Sequence, residues 1–280
     1  MTAIRTIRLP SGSEVPVLGQ GTWYMGEDAR KRSEEAAALK LGIDLGMSLI
    51  DTAEMYAQGG AEEVVGQALE GRRDSVFLVS KVLPSNASKS GTIKACEQSL
   101  RRLQTDFIDL YLLHWRGGYA LEDTIAAFES LIESGKIRSW GVSNFDVDDM
   151  EELHSLGGGD AVCVNQILYN LKRRSPEVEL IPWCVSKNIP LMAYSPIEQG
   201  RLLNHPALAE IAQEMETTAA AIALAWVLAQ NGVIAIPKSG NPKHIHENRK
   251  AADIQLTPAQ IDRLNQAFER PRRKMPLEML

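Results

Sequence analysis

The 280-residue chain has little cysteine, no surplus of basic charge and no long apolar run. Each shortage narrows the field. Cys96, Cys163 and Cys184 are its three thiols. An odd number with no close pair and no CxxC spacing is read as the reduced thiols of a cytoplasmic protein. Thirty basic against 36 acidic residues leave a formal charge of −6, which argues against a chain built mainly to grip nucleic acid. No run reaches the ~20 apolar residues of a membrane helix. Met1 to Pro10 lacks the apolar core of a signal peptide. His244 and His246 stand two apart with only Glu247 adjoining, and His154 and His205 stand alone, so no metal site is expected. The GxGxxG of a doubly wound dinucleotide fold is also missing, since Gly19-Gln20-Gly21 lacks its third glycine.

What is present reads as strand and helix in alternation. Apolar runs at Val17 to Thr22, Leu49-Ile50, Val76 to Val79, Phe107 to Leu113, Ile137 to Val142, Val162 to Val164, Ile189 to Ala193 and Val233 to Ile236 give eight candidate strands. Most are apolar throughout, as parallel strands covered on both faces are. Between them, residues 88–104 and 121–134 repeat apolar positions every three or four residues, the stripe of a helix lying on a core. Residues 218–230 form an alanine-rich helix. Ser175-Pro176 opens another, with proline at its first position. Thr257-Pro258-Ala259-Gln260 is a capping box ahead of a last helix. Eight units over 44% hydrophobic sequence without a composition break predict an α/β fold, a (β/α)8 TIM barrel, as one domain over residues 1–280. A hairpin over about residues 4–17 turns at Pro10 to Ser13; it either covers one end of the barrel or is only a frayed N-terminal arm. The tail, about residues 270–280, is irregular. It either crosses a barrel mouth or stays disordered.

In such a barrel the loops after the strands carry the site. Asp51, Lys81, His114, Ser143-Asn144, Asn165-Gln166, Tyr194-Ser195 and Lys238-Ser239 follow the apolar runs in unit after unit. Lys81, at the rim of an apolar interior, needs a counter-charge, and Asp51 is the nearest. A cation beside Tyr56 favours the phenolate and makes the phenol a better proton donor. His114 suits an oxygen that gains charge. The set fits protonation of a carbonyl oxygen, and with no evident nucleophile the carbon would be attacked by hydride from a cofactor. Plainer readings stay open: a structural Asp51–Lys81 pair, a loop tyrosine, a core histidine, or a Schiff-base lysine at Lys81 in a lyase.

Gly46-Met47-Ser48-Leu49-Ile50-Asp51-Thr52-Ala53-Glu54-Met55-Tyr56, with Glu62-Glu63-Val64-Val65-Gly66, closely resembles the signature of the aldo-keto reductase family. So do Val79-Ser80-Lys81, Leu110 to Trp115, Gly135 to Arg138, Trp140 to Phe145 and Ile236 to Ser239. Gly19 to Asp28 is similar to bacterial members of the methylglyoxal reductase type. The motifs run in order over nearly the whole chain. The resemblance implies a barrel with an N-terminal hairpin and additional C-terminal helices, a monomer without metal, and NADPH-dependent reduction of small aldehydes, 2-oxoaldehydes or ketones to alcohols. It gives Tyr56 the role of general acid, with Lys81, Asp51 and His114 around it.

The same resemblance assigns cofactor contacts. Ser143, Asn144 and Gln166 would hold the nicotinamide carboxamide, with Tyr194 stacked on the ring and Thr22 and Asp51 beside ring and ribose. Ser195, Pro196, Ile197 and Gly200 would follow the pyrophosphate. Lys238 and Ser239 would hold the adenosine 2′-phosphate, Glu247 and Asn248 would contact the adenine, and Ile236 is a further cofactor contact. One position departs: the family commonly has arginine where this chain has His244. The bidentate phosphate grip is lost there, so some tolerance of NADH is expected. Trp23, Tyr24, Met55 and Trp115 are the expected pocket walls for a small carbonyl substrate. The same fold in a non-catalytic, nucleotide-sensing subunit is the alternative class.

Overall fold

The computed structural model describes residues 2–280. Two short strands, β1 (Thr6–Arg8) and β2 (Glu14–Pro16), pair antiparallel as the N-terminal hairpin. Eight parallel strands follow: β3 (Gln20–Gly21), β4 (Leu49–Asp51), β5 (Phe77–Val82), β6 (Ile108–Leu113), β7 (Ile137–Ser143), β8 (Asn165–Leu168), β9 (Leu191–Tyr194) and β10 (Val233–Ala235). Each pairs with its neighbour in chain order. The two outermost strands meet through isolated parallel bridges, Leu18 with Ala235 and Gly21 with Lys238. This is the (β/α)8 barrel, and β3 against β10 is its seam.

The helices are α1 (Arg32–Asp44), α2 (Gly60–Leu69), α3 (Lys89–Leu103), α4 (Leu121–Glu133), α5 (Val147–Ser155), α6 (Leu180–Ser186), α7 (Pro206–Glu214), α8 (Ala219–Leu228), α9 (Pro242–Ala251) and α10 (Pro258–Ala267). Local chemistry sets several ends. The Ser88 side chain accepts the Gly91 N–H at the start of α3, and Thr257 with Gln260 closes the capping box of α10. Such caps satisfy N–H groups that the helix itself leaves unpaired. Helices α7 and α10 exceed one helix per strand. Arg263 of α10 bridges Glu210 and Glu214 of α7.

Two cores result. A large one lies between the barrel wall and the helices. A small one fills the barrel with Leu49, Val79, Leu110, Leu112, Val164, Met192 and Ile234, and the hairpin adds Leu9 and Val15 from below. The hairpin thus plugs the end where the strands begin.

The sixth barrel strand differs from its expected place. The run Val162 to Val164 leads into β8, and Asn165-Gln166 lies inside the strand, not at its end. Two buried polar side chains fit there because each is bonded: Asn165 Nδ2 donates to Phe145 O at 2.8 Å, and Gln166 Nε2 to Asp51 Oδ1 at 2.7 Å. Ser175-Pro176 opens only a 3-10 turn, Ser175–Glu177, and α6 begins at Leu180. The tail crosses the barrel mouth. Lys274 pairs with Asp148 at 3.2 Å, Glu278 pairs with Arg173, and Met279 and Leu280 face the cleft.

Candidate active site

Alternate residues of a strand face the same side. Leu49, Val79, Leu112, Val164 and Met192 belong to the apolar barrel interior. Two residues further along the chain, in the strands or just past their ends, come Asp51, Lys81, His114, Gln166 and Tyr194. The inward face therefore turns from apolar to polar at one level, at the ends of the strands.

Lys81 is fully buried, and Asp51 nearly so. The Lys81 ammonium donates to Asp51 Oδ2 at 2.8 Å and to Thr52 O at 2.8 Å, and its contact with the Tyr56 hydroxyl is 3.2 Å. All three protons are engaged. Removing one partner of such a buried pair costs about 3–5 kcal/mol. Gln166 holds the second Asp51 oxygen, and Thr22 Oγ1 donates to Asp51 O at 2.9 Å.

Burial works against the Lys81 cation, but Asp51 and Tyr56 outweigh it and hold the lysine above its ordinary range. For Tyr56, burial is the largest influence and pushes the phenol upward. Lys81 opposes this and Asp51 reinforces it. The expectation that the neighbouring cation would favour the phenolate is thus outweighed by burial in the resting protein, and Tyr56 keeps its proton. Burial first, and Lys81 second, drive His114 down to about 2. The imidazole is neutral, and its Nδ1 is buried without a partner. The ring meets Tyr56 edge-on at 5.8 Å and leans on Trp115 at 4.9 Å.

Above this group lies a cleft of ≈ 840 Å³. Every residue expected at cofactor or substrate lines it, from Thr22, Trp23 and Tyr24 to Glu247 and Asn248, with Tyr56 and His114 at its floor. Lys81 does not line it. The Tyr194 hydroxyl donates to Asn144 Oδ1 at 3.0 Å, and Asn144 Nδ2 donates to His114 O and Ser143 Oγ, each at 3.1 Å. His244, Glu247 and Asn248 stand at helical spacing on one face of α9. Trp23 stacks on Tyr24 with ring centroids 4.6 Å apart.

A nicotinamide dinucleotide fits these donors. Ser195 Oγ is buried at the cleft wall with no partner, so an acceptor oxygen from a ligand completes it. Lys238 and Ser239 sit just ahead of α9, and a helix start is a ready site for phosphate. The wall at Ser195 to Gly200 has left-handed backbone at Ser195, Glu198 and Gln199. Glu198, fully buried, anchors it through Arg173 at 2.8 Å, Asn170 at 2.9 Å and Arg201 at 3.2 Å.

Sequence reasoning missed Gln199, Leu203, Thr218 to Ala220, Met279 and Leu280, which also line the cleft. The helix itself was legible from its alanine-rich sequence, but small residues at its start carry no mark of a ligand. Among the described residues no three His, Cys, Asp or Glu side chains are grouped to hold a metal. No helix among them is long and apolar enough to cross a membrane.

Residues 17–269 match the sequence profile of the aldo/keto reductase family. Methylglyoxal reductase YeaE of Escherichia coli (strain K12) is 51% identical over 99% of this chain and 99% of its own length. Glyoxal reductase of Bacillus subtilis (strain 168) is 36% identical over 93% of this chain and 91% of its own. The crystal structure of an aldo/keto reductase from Klebsiella pneumoniae in complex with NADP and acetate superposes with a TM-score of 0.97. It shares 48% identity and covers 99% of this chain and 100% of that one.

Proposed function

The chain belongs to the aldo/keto reductase family, and on that premise we propose that it reduces small aldehydes, 2-oxoaldehydes of the methylglyoxal kind and ketones to alcohols, with NADPH as reductant and Tyr56 as proton donor. One observation carries the reading. A protonated phenol and a neutral imidazole line the floor of one cleft, and a buried cation held by its own carboxylate stands behind the phenol. The methylglyoxal and glyoxal reductases among its relatives support the substrate class.

NADPH, when bound, supplies a hydride to the carbonyl carbon. Tyr56 gives its proton to the carbonyl oxygen as negative charge gathers there, so the alcohol leaves neutral. Lys81, kept cationic by Asp51, stabilises the phenolate left behind until a solvent proton restores it. His114 keeps its proton on Nε2, because the buried Nδ1 has no acceptor, and donates to the same oxygen. Ser143, Asn144 and Gln166 match the donors and acceptors of a carboxamide, and Tyr194 offers a flat ring for stacking. Ser195, Pro196, Ile197 and Gly200 would flank the pyrophosphate. Lys238 and Ser239, with Ile236 near them in sequence, would hold the 2′-phosphate, and Glu247 and Asn248 the adenine. His244 in place of arginine weakens the preference over NADH. Trp23, Tyr24, Met55 and Trp115 wall the substrate end.

A Schiff base at Lys81 is disfavoured, because the ammonium is fully buried and all three of its protons are bound.

The test is NADPH consumption with methylglyoxal and a panel of small aldehydes, for wild type, Tyr56→Phe and Lys238→Ala. Loss of the general acid removes roughly 10²–10⁴-fold in turnover with NADPH binding kept. Lys238→Ala weakens NADPH more than NADH. Normal turnover by Tyr56→Phe would remove it as donor, and equal losses for both nucleotides would take Lys238 out of the phosphate site.

A further inference from the structure

Two carboxylates outside the cleft bracket Tyr56 in sequence, and each is fastened to a residue that brackets Lys81. Glu54 Oε1 accepts the Leu83 N–H at 2.7 Å and Asn86 Nδ2 at 3.0 Å. Glu62, in the first turn of α2, is fully buried. Its Oε1 accepts from Ser80 Oγ at 2.6 Å, and its Oε2 from Arg102 Nε at 2.6 Å. Ser80 and Lys81 are consecutive on β5, so they face opposite sides of the wall: Ser80 outward to α2, Lys81 inward to Asp51.

Between the two ties the chain makes three left-handed residues in a row, Ala57 (φ 50), Gln58 (φ 53) and Gly59 (φ 93). Two of them are not glycine, and free chains rarely visit this region, so the loop keeps its shape only while it is held. Arg102 holds it. The side chain runs beneath Gly59, where an added β-carbon would come 2.5 Å from Cδ. One path of contacts therefore leads from the loop of Tyr56 through Arg102, Glu62 and Ser80 to Lys81. A second leads through Glu54 to Leu83, two residues beyond Lys81.

We propose that Glu54 and Glu62 are positioning residues that together set the 3.2 Å separation of the Tyr56 hydroxyl and Lys81 Nζ, a role that rests on Tyr56 being the proton donor. That distance is at the long end of a hydrogen bond, so a small shift of either loop separates the two groups. Catalysis is steep in such displacements.

The test uses Glu54→Ala, Glu54→Gln and Ser80→Ala in the full chain. Ser80→Ala cuts the Glu62 tie on the strand side and leaves the Arg102–Glu62 pair intact. Glu54→Ala and Ser80→Ala each lower kcat for an aldehyde by roughly tenfold or more, and leave the Kd for NADPH within about twofold. The alkaline fall of kcat moves to higher pH, because Tyr56 loses part of the help of Lys81. Glu54→Gln keeps the acceptor oxygen and restores kcat. Wild-type kcat and pH profile in both Glu54→Ala and Ser80→Ala, whatever their melting temperatures, overturn the proposal. Tyr56→Phe in the same assay separates the two questions. If it turns over normally, the donor assignment fails and the positioning role with it. If it is inactive while Glu54→Ala and Ser80→Ala behave as wild type, only the positioning role fails.

Discussion

His114 and Tyr56 depart from their ordinary ionisation in opposite directions from one cause, loss of water around the charged form. The consequences for rate and for stability differ. An acid must hold its proton to donate it, so reduction persists until pH climbs through the raised Tyr56 value, above the ordinary tyrosine value of about 10. His114, neutral down to about 2, adds no acid limb to the rate. A kcat profile that falls on the alkaline side near neutrality would contradict this. On the acid side His114 acts on folding instead. Its folded value lies below its unfolded one, so below pH ~6.5 the unfolded chain takes up a proton that the folded chain refuses, and stability drops as pH falls. His114→Gln should flatten that slope, read from denaturant midpoints at about pH 5 and about pH 7.

Much of this residue chemistry was legible in the sequence. Asp51, Lys81, His114 and Gln166 stand out because a polar residue that ends an apolar run has few reasons to be there. The balance of effects at Tyr56 was not legible, since the degree of burial is a property of the assembled cleft. The ties from Glu54 to Leu83 and from Glu62 to Arg102 were equally hidden. They join residues 29 and 40 positions apart, and no local pattern announces such a pair.

At the scale of the element, what is set by neighbours in sequence could be read, and what is set by neighbours in space could not. Thr257 and Gln260 announce the start of α10 by reaching each other's backbone, whereas at α3 Ser88 alone caps, accepting the Gly91 N–H. β8 escaped its expected place because its polar residues are satisfied from other elements, Asn165 by Phe145 and Gln166 by Asp51. Ser175-Pro176 was read as the start of a helix, but it makes only a 3-10 turn and α6 starts at Leu180, because a signal for the first turn says nothing about the second. Helix α10 gives an element-scale prediction. It buries Leu264 against the large core, and none of its residues lines the cleft. Thr257→Ala should lower unfolding free energy by about 1 kcal/mol and leave turnover unchanged. A loss of turnover at saturating substrate would mean that α10 reaches the site by a path not described above.

At the scale of the whole molecule, the hairpin fills the lower end of the barrel, so access is from the upper end alone, beneath the tail. The join that closes the cylinder carries three backbone hydrogen bonds: Gly19 N–H to Ala235 O at 2.9 Å, Ala235 N–H to Val17 O at 2.8 Å and Gly21 N–H to Pro237 O at 3.0 Å. Thr22 lies at the cleft from one side of that join, and Lys238 and Ser239 from the other. A dinucleotide lodged there would clasp the first strand to the last. Ligand at 100 times its Kd adds about 2.7 kcal/mol to the bound form, and the seam should register it first. In deuterium exchange the amides of Gly19, Gly21 and Ala235 should label more slowly when NADPH is added, and no change at them would contradict this.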